Sequence, residues 1–291
     1  MSVGLTDTSR IVVQGITGKE GSLHAELCLD YGTNIVAGVS PGKGGTKFKH
    51  IPVYNTIAES VEINGANVSL IFVPSIYACD AILESVFAGI KTIICITEGI
   101  PVHDMIKVKR IVDTYKVTLI GPNCPGIIVP GLAKAGIMPG HIFKKGKIGM
   151  ISRSGTLLYE AADQVVRSGL GISTALGIGG DPIVGTDYMY WLNQFEANSE
   201  TDAIVLIGEI GGDMEERAAA YIKKNIKKPV FAFIAGRSAP QGKRMGHAGA
   251  IIMGNTGTVE SKDAAFTDAG ITVITQLAQI GKTIHDKLIK I

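Results

Sequence analysis

The chain has 291 residues, 46% of them hydrophobic and 19% charged, with a formal net charge of +2. That composition supports about two globular domains with a sizeable core and excludes a disordered chain. The near-neutral balance, with no basic stripe interleaved with aromatics, gives no electrostatic case for nucleic acid. No apolar run approaches the roughly 20 residues of a membrane span.

The opening "MSVGLTDTSR" carries neither a secretory-signal pattern nor an Arg-rich transit pattern. Cysteines at 28, 79, 95 and 124 match no zinc spacing and fit a reducing compartment. A bacterial-type cytosolic location is expected.

In chain order, "RIVVQG", "NIVAGV", "VSLIFVP", "KTIICIT" and "VTLIG" read as strands. They are near-continuous in β-branched and large apolar residues, as strands covered on both faces should be. Helical patterns near 20–31, 76–89 and 103–115 alternate with them, the signature of a doubly wound parallel sheet. Residues 122–146, with Pro122, Pro125, Pro130 and Pro139, read as a Pro/Gly-rich connector between domains at 1–121 and 147–291. Alternation resumes with "KIGMIS", "STALGI", "AIVLIGEI", "PVFAFIAG" and "ITVI" as strands. Helices are expected near 155–168, 187–197, 214–225, 259–269 and 276–289.

Three stretches carry chemistry. In "VVQGITGKEGS" a strand runs into a helix through Gly15, Gly18 and Gly21, and free N–H groups at a helix start form an anion site. No acid ends the second strand to hold a ribose 2′-hydroxyl; Lys43 stands there instead. A cation suits an extra ribose phosphate, which leaves NADP or coenzyme A. No Walker A pattern occurs.

In "ISRSGTLLYEAADQVV" the hydroxyls of Ser152, Ser154 and Thr156 and the backbone at Gly155 open a second helix, suited to a phosphate or to simple capping. In "GKRMGHAGAII" His247 stands among glycines, and Glu209 in "GEIGG" ends an apolar strand, a costly place for an unpaired carboxylate. Paired with one imidazole nitrogen, Glu209 would leave the other nucleophilic. The glycines would then give a phosphorylated imidazole clearance and mobility.

"GITGKEG", "PGKGG", "ITEGIP", "IGPNCPG", "SRSGTL", "GIGGDP", "GEIGG" and "GKRMGHAGAII" occur in one order. In that order, over essentially its full length, the chain resembles the alpha subunits of succinyl-CoA synthetase, also called succinate–CoA ligase. The resemblance implies an N-terminal Rossmann-like CoA-binding domain and a C-terminal flavodoxin-like ligase domain. It implies reversible conversion of succinate, CoA and NTP to succinyl-CoA, NDP and phosphate through succinyl phosphate and a phosphohistidine.

On that resemblance His247 is the phosphoryl carrier and Glu209 the carboxylate that orients it. Ser154 and Gly155 bind phosphate, and Tyr159 contributes to the succinate site. Thr17, Gly18, Lys19, Glu20, Lys43, Ile96, Thr97 and Glu98 contact CoA, with Lys19 and Glu20 engaged through their backbones. Cys124, near the expected thiol end of CoA, has a structural role. The resemblance also implies a beta subunit of ATP-grasp fold that binds the Mg-nucleotide, in an αβ or α2β2 assembly, with no metal site on this chain. Rival readings are a malate–CoA ligase, an NADP-dependent oxidoreductase, which leaves the His247 loop and the "SRSGT" turn unexplained, and a non-catalytic CoA-binding module, which leaves Glu209 and His247 without a task.

Overall fold

A computed structural model describes residues 3–254 and 256–289 of the chain. Residues 1–2 and 290–291, the outer ends of the two expected domains, lie outside the described residues. The first half alternates β1 (Ile11–Gln14), α1 (Lys19–Asp30), β2 (Ile35–Val39), β3 (Lys47–Phe48) and β4 (Ile51–Tyr54). It continues through α2 (Ile57–Asn64), β5 (Val68–Ile71), α3 (Ser75–Phe87), β6 (Thr92–Cys95), α4 (Val102–Thr114) and β7 (Thr118–Ile120). These strands form a seven-stranded sheet in the order β3-β4-β2-β1-β5-β6-β7. Without the two-residue antiparallel edge strand β3, the order is that of a dinucleotide-binding fold, reversing direction between β1 and β5.

The central strands are buried on both faces because they are largely apolar, and the polar side chains among them, Gln14 and Ser69, hydrogen-bond each other in the interior. In β1, Val13 joins the core under α1, whereas Val12 faces the core beneath α3 and α4. The unanticipated pieces are β3, β4 and α2. Pro52 argues against a strand in "IPVY", yet β4 pairs in parallel with β2. Helix α2 opens on a capping box: the Thr56 side chain accepts from the Glu59 N–H, and Glu59 accepts from the Thr56 N–H.

Residues 126–129 and 133–136, expected within a connector, instead form β8 (Gly126–Val129) and β9 (Ala133–Gly136). The prolines flank these strands without interrupting them. Both strands are antiparallel and extend the second sheet. The rest of that sheet comes from β10 (Lys145–Ser152), β11 (Ile172–Gly177), β12 (Ala203–Glu209), β13 (Val230–Ala235) and β14 (Thr272–Ile274). Between and after them lie α5 (Gly155–Arg167), α6 (Tyr188–Ala197), α7 (Met214–Asn225), α8 (Val259–Asp268) and α9 (Ile280–Ile289). The last expected helix therefore begins later than its pattern suggests, after a short 3-10 turn at Leu277–Gln279.

The second sheet runs β14-β13-β12-β10-β11-β8-β9. Its parallel part has the flavodoxin order, with the reversal between β10 and β12. One core cluster spans both sheets, joining Val13, Ile94 and Ile120 of the first to Ile151, Leu206 and Trp191 of the second half. Polar contacts cross the same boundary: the Thr186 N–H and hydroxyl both donate to the Leu119 carbonyl at 2.8 Å. No helix among the described residues is long and apolar enough to cross a membrane.

Candidate active site

The carboxyl ends of β1 and β5, where the first sheet reverses, open into a cleft of about 520 Å³. Gly15, Thr17, Gly18, Ser40, Phe72 and Tyr77 are among its walls. The glycines have a specific cause. A Cβ on Gly21 would lie 2.1 Å from the Gly15 carbonyl oxygen, so only a bare α-carbon lets α1 start this close to the turn. Thr17 ties that turn to the end of β2 by a 2.9 Å bond from its hydroxyl to Ser40.

Lys43 lies two residues past Pro41, which also lines this cleft. Its loop is clamped by Asn55, whose side-chain oxygen accepts from the N–H groups of Gly42 and Gly44 at 2.9 and 3.0 Å. The Lys43 side chain is exposed, and among the described residues no group takes its ammonium. Lys19 is exposed and lines neither this cleft nor the next.

A second cleft, of about 220 Å³, shares Phe72 and Val73 with the first and brings in Glu20, Ile96 and Thr97. It also contains His24, which sequence reasoning missed. The His24 ring stacks on Phe72 at 5.6 Å, and burial, with Lys134 nearby, lowers its pKa. From here polar contacts lead to the second sheet. The Thr97 carbonyl accepts from the Asn123 N–H (2.9 Å), and the Asn123 amide donates to Asp181 (2.9 Å). Burial raises the Asp181 pKa, the Asn123 bond opposes this, Glu98 adds to it and His247 counters it. Glu98 is exposed and lines neither cleft.

At the second reversal point, Glu209 closes β12 and is only 6% exposed. His247 sits on the loop after β13, with Nδ1 at 2.8 and 3.0 Å from the two Glu209 oxygens. Its ring lies against Gly180, where a Cβ would meet the imidazole Cγ at 2.2 Å. The required clearance is thus supplied by a glycine across the site. Gly246, beside the histidine, has open space around it and is needed for its φ of +81°. The loop is pinned by the Gly249 N–H donating to the Gly180 carbonyl at 3.2 Å.

Two hydroxyls organise the turn before α5. Ser152 accepts from the Ser154 N–H at 3.0 Å, and Ser154 caps the helix by accepting from the Leu157 N–H. Gly155 packs on Pro125. Tyr159 is half-buried one turn into α5, and burial pushes its phenol far above the ordinary value. Arg153, in the same turn and 2% exposed, was not singled out from the sequence. Its guanidinium sits 3.3 Å from Glu209 and 3.2 Å from Glu215.

With Nδ1 facing a carboxylate, the other imidazole nitrogen, Nε2, is the one free to react. The Glu209 hydrogen bond raises the His247 pKa, burial opposes it, Glu209's charge adds to it, Arg153 lowers it and Asp181 raises it. The thiols offer no competing nucleophile. Burial pushes Cys95 up to about 12 and raises Cys124 as well, so neither is a thiolate near neutrality. Among the described residues no cluster of three or more His, Cys, Asp or Glu is suited to a metal ion.

Comparison with known proteins adds independent findings. The family model for a CoA binding domain matches residues 6–99, and that for CoA-ligase matches residues 151–272. The alpha subunit of ADP-forming succinate–CoA ligase from Aquifex aeolicus is 57% identical, covering 100% of this chain and 96% of that protein. Its counterpart from Staphylococcus epidermidis is 52% identical over 98% of this chain and 95% of that protein.

Among solved structures, ATP citrate lyase from Methanosaeta concilii with (3S)-citryl-CoA superposes with a TM-score of 0.87 at 24% identity. The dinucleotide-forming acetyl-coenzyme A synthetase 1 of Ca. Korarchaeum cryptofilum, with phosphate and ADP, gives 0.75 at 21%. They cover 96% and 94% of this chain, which spans 50% and 59% of theirs, and they show the fold alone.

Glu209→Gln removes the charge that raises the His247 pKa, so the imidazole titration midpoint should fall, as read from the ring C2-proton shift in NMR. An unchanged midpoint would contradict the pairing. The linked stability has a sign: a raised histidine contributes fully below its unfolded value, and that contribution is lost as pH rises through the folded value. The Gln variant should therefore show a flatter pH dependence of stability across that window.

Proposed function

The chain belongs to the succinate–CoA ligase alpha subunits, and from that premise we propose how its side chains divide the work of this acid–thiol ligase. His247 carries the phosphoryl group. The observation that carries this reading is the Nδ1–Glu209 pair, which leaves Nε2 as the lone-pair nitrogen. In the direction of nucleotide synthesis, phosphate displaces CoA from succinyl-CoA to give succinyl phosphate. Nε2 then attacks phosphorus, the bond to the succinyl oxygen breaks, and succinate leaves. Glu209 accepts from Nδ1–H throughout and stabilises the cationic imidazole that forms.

The turn at Ser154 and Gly155 holds the incoming phosphate on the N–H groups that open α5, where the helix dipole favours an anion. Tyr159 borders the succinate. CoA lies with its nucleotide end in the larger cleft, engaging Thr17 and Gly18 and the backbones of Lys19 and Glu20. Lys43 reads its 3′-phosphate, and the chain toward the thiol passes Ile96, Thr97 and Glu98. Phe72 and Val73, shared by both clefts, provide a continuous path for one extended ligand.

The alpha-subunit family implies a beta-subunit partner. We assign the Mg-nucleotide to that partner, of ATP-grasp fold, in an αβ or α2β2 assembly. ADP is the expected diphosphate, because the relatives are ADP-forming enzymes. The His247 loop moves the phosphoryl group from the CoA side to the nucleotide side. Four buried free thiols accord with a cytoplasmic place of action.

His247→Asn, paired with the beta subunit, should lose net turnover while CoA binding by calorimetry stays near the parent value. Turnover above a trace would remove His247 from the carrier role. Lys43→Ala should weaken CoA about tenfold or more, the worth of a charge-assisted contact, and leave dephospho-CoA nearly unaffected. Equal losses for both ligands would show that Lys43 does not read the 3′-phosphate.

A further inference from the structure

Behind His247 a line of charged side chains runs into the interior. Glu209 faces the Arg153 guanidinium, which donates to Glu215 at 3.2 Å and to the Gly211 carbonyl at 3.3 Å. Glu215 in turn accepts from the Glu209 N–H at 3.2 Å and from the Lys262 ammonium at 2.5 Å. Lys262 also donates to Glu216 and to the Gly212 carbonyl, both at 3.0 Å. Arg153 is 2% exposed, and Glu215 and Lys262 are completely buried. Packed apolar side chains commonly give equal or better stability than such buried ion pairs, so stability alone is a weak reason for the chain.

Its position supplies another reason. The line is assembled from separate elements and ends on the Glu209 carboxylate: Lys262 of α8 meets Glu215 in the first turn of α7, Glu215 meets Arg153 of the β10–α5 turn, and Arg153 meets Glu209. The Glu209 oxygen nearest Arg153, Oε1, also contacts His247 Nδ1 at 3.0 Å. We propose that Arg153 is a positioning residue for the phosphoryl-carrying histidine: it fixes the plane of Glu209 against Nδ1 and draws off part of its charge, while Glu215 and Lys262 determine how strongly it does so. This rests on the assignment of His247 as carrier. Remove Arg153, and Glu209 is freed to bind the proton-bearing imidazole more strongly. Neutralise Glu215, and the guanidinium turns more fully to Glu209.

The charged groups facing His247 are Glu209 from β12, Arg153 from the β10–α5 turn and Asp181 from the loop after β11. Glu209 and Asp181 favour the imidazolium, and Arg153 opposes it. Nε2 attacks only when unprotonated, so the acid limb of the phosphorylation rate reports this balance. The two substitutions must move it in opposite directions.

The test is single-turnover transfer of label from γ-labelled ATP to His247, across pH, in the enzyme reconstituted with its beta subunit. Arg153→Met should slow transfer about 10- to 100-fold, the effect expected of an outer partner of a functional histidine, and shift the acid limb to higher pH. Arg153→Lys should return the limb close to the parent's. Glu215→Gln, which keeps an acceptor for Arg153 and for the Glu209 N–H, should shift the limb to lower pH.

Limbs that coincide with the parent's, whatever the loss of rate, or that shift the same way in Arg153→Met and Glu215→Gln, would overturn the proposal. If Arg153→Met does not fold, the direction of the Glu215→Gln shift decides. Parent enzyme is labelled in the same series: no label on parent His247 would fail the carrier assignment, whereas a labelled parent with unmoved variant limbs would fail only Arg153.

Discussion

The site depends on one constraint: a carboxylate at the buried end of β12 must be paired. Glu209 has little solvent to stabilise its charge, and removing one partner from a buried ion pair costs about 3–5 kcal/mol. It finds Arg153 on one side and His247 on the other. The same pairing orients the imidazole, because both carboxylate oxygens face Nδ1 and so define which nitrogen is free. The glycine at 180 follows from this, since the ring so held lies where a Cβ would be.

The fold brings this constraint and the two clefts of the CoA-binding domain to comparable places. In each sheet the strand order reverses once among the parallel strands, and the two adjacent βα turns splay apart there. In the first sheet that gap is the larger cleft between the Gly15 turn and the Phe72 segment. In the second it receives Arg153, Glu209 and His247. The shared core and the Thr97–Asn123–Asp181 contacts join the two. A ligand extended along the first sheet's carboxyl edge thereby ends near the Glu209–His247 pair, the proposed phosphoryl-transfer site. Cys124 lies beside this path, but its buried thiol donates to the Cys95 carbonyl and belongs to the packing.

Much of this architecture was legible in the sequence, because strands buried on both faces leave uninterrupted apolar runs between glycine turns. The Glu209–His247 pairing was legible for a related reason: a glutamate at the end of "AIVLIGE" demands a partner. Arg153 was not, since in "SRSGT" the hydroxyls and glycine account for the turn without it. Glu215 and Lys262 look like solvated helix residues in "MEERAAA" and "VESKDAA", and only the packing of α7 against α8 and β12 reveals that they are internal. Strands β8 and β9 were obscured by prolines that bracket them. Helix α2 was obscured by brevity, although Thr56 and Glu59 already spelled out its capping box.

The most direct measurement is which imidazole nitrogen of His247 carries phosphorus. The enzyme, phosphorylated with ATP in the presence of its beta subunit and labelled with ¹⁵N-histidine, can be read by ³¹P–¹⁵N coupling in NMR. Coupling to Nε2, with Nδ1 still protonated and hydrogen-bonded, is the predicted result. Coupling to Nδ1, or phosphorus on any other side chain, would contradict the account, because Glu209 would then not be holding the nitrogen that the structure places against it.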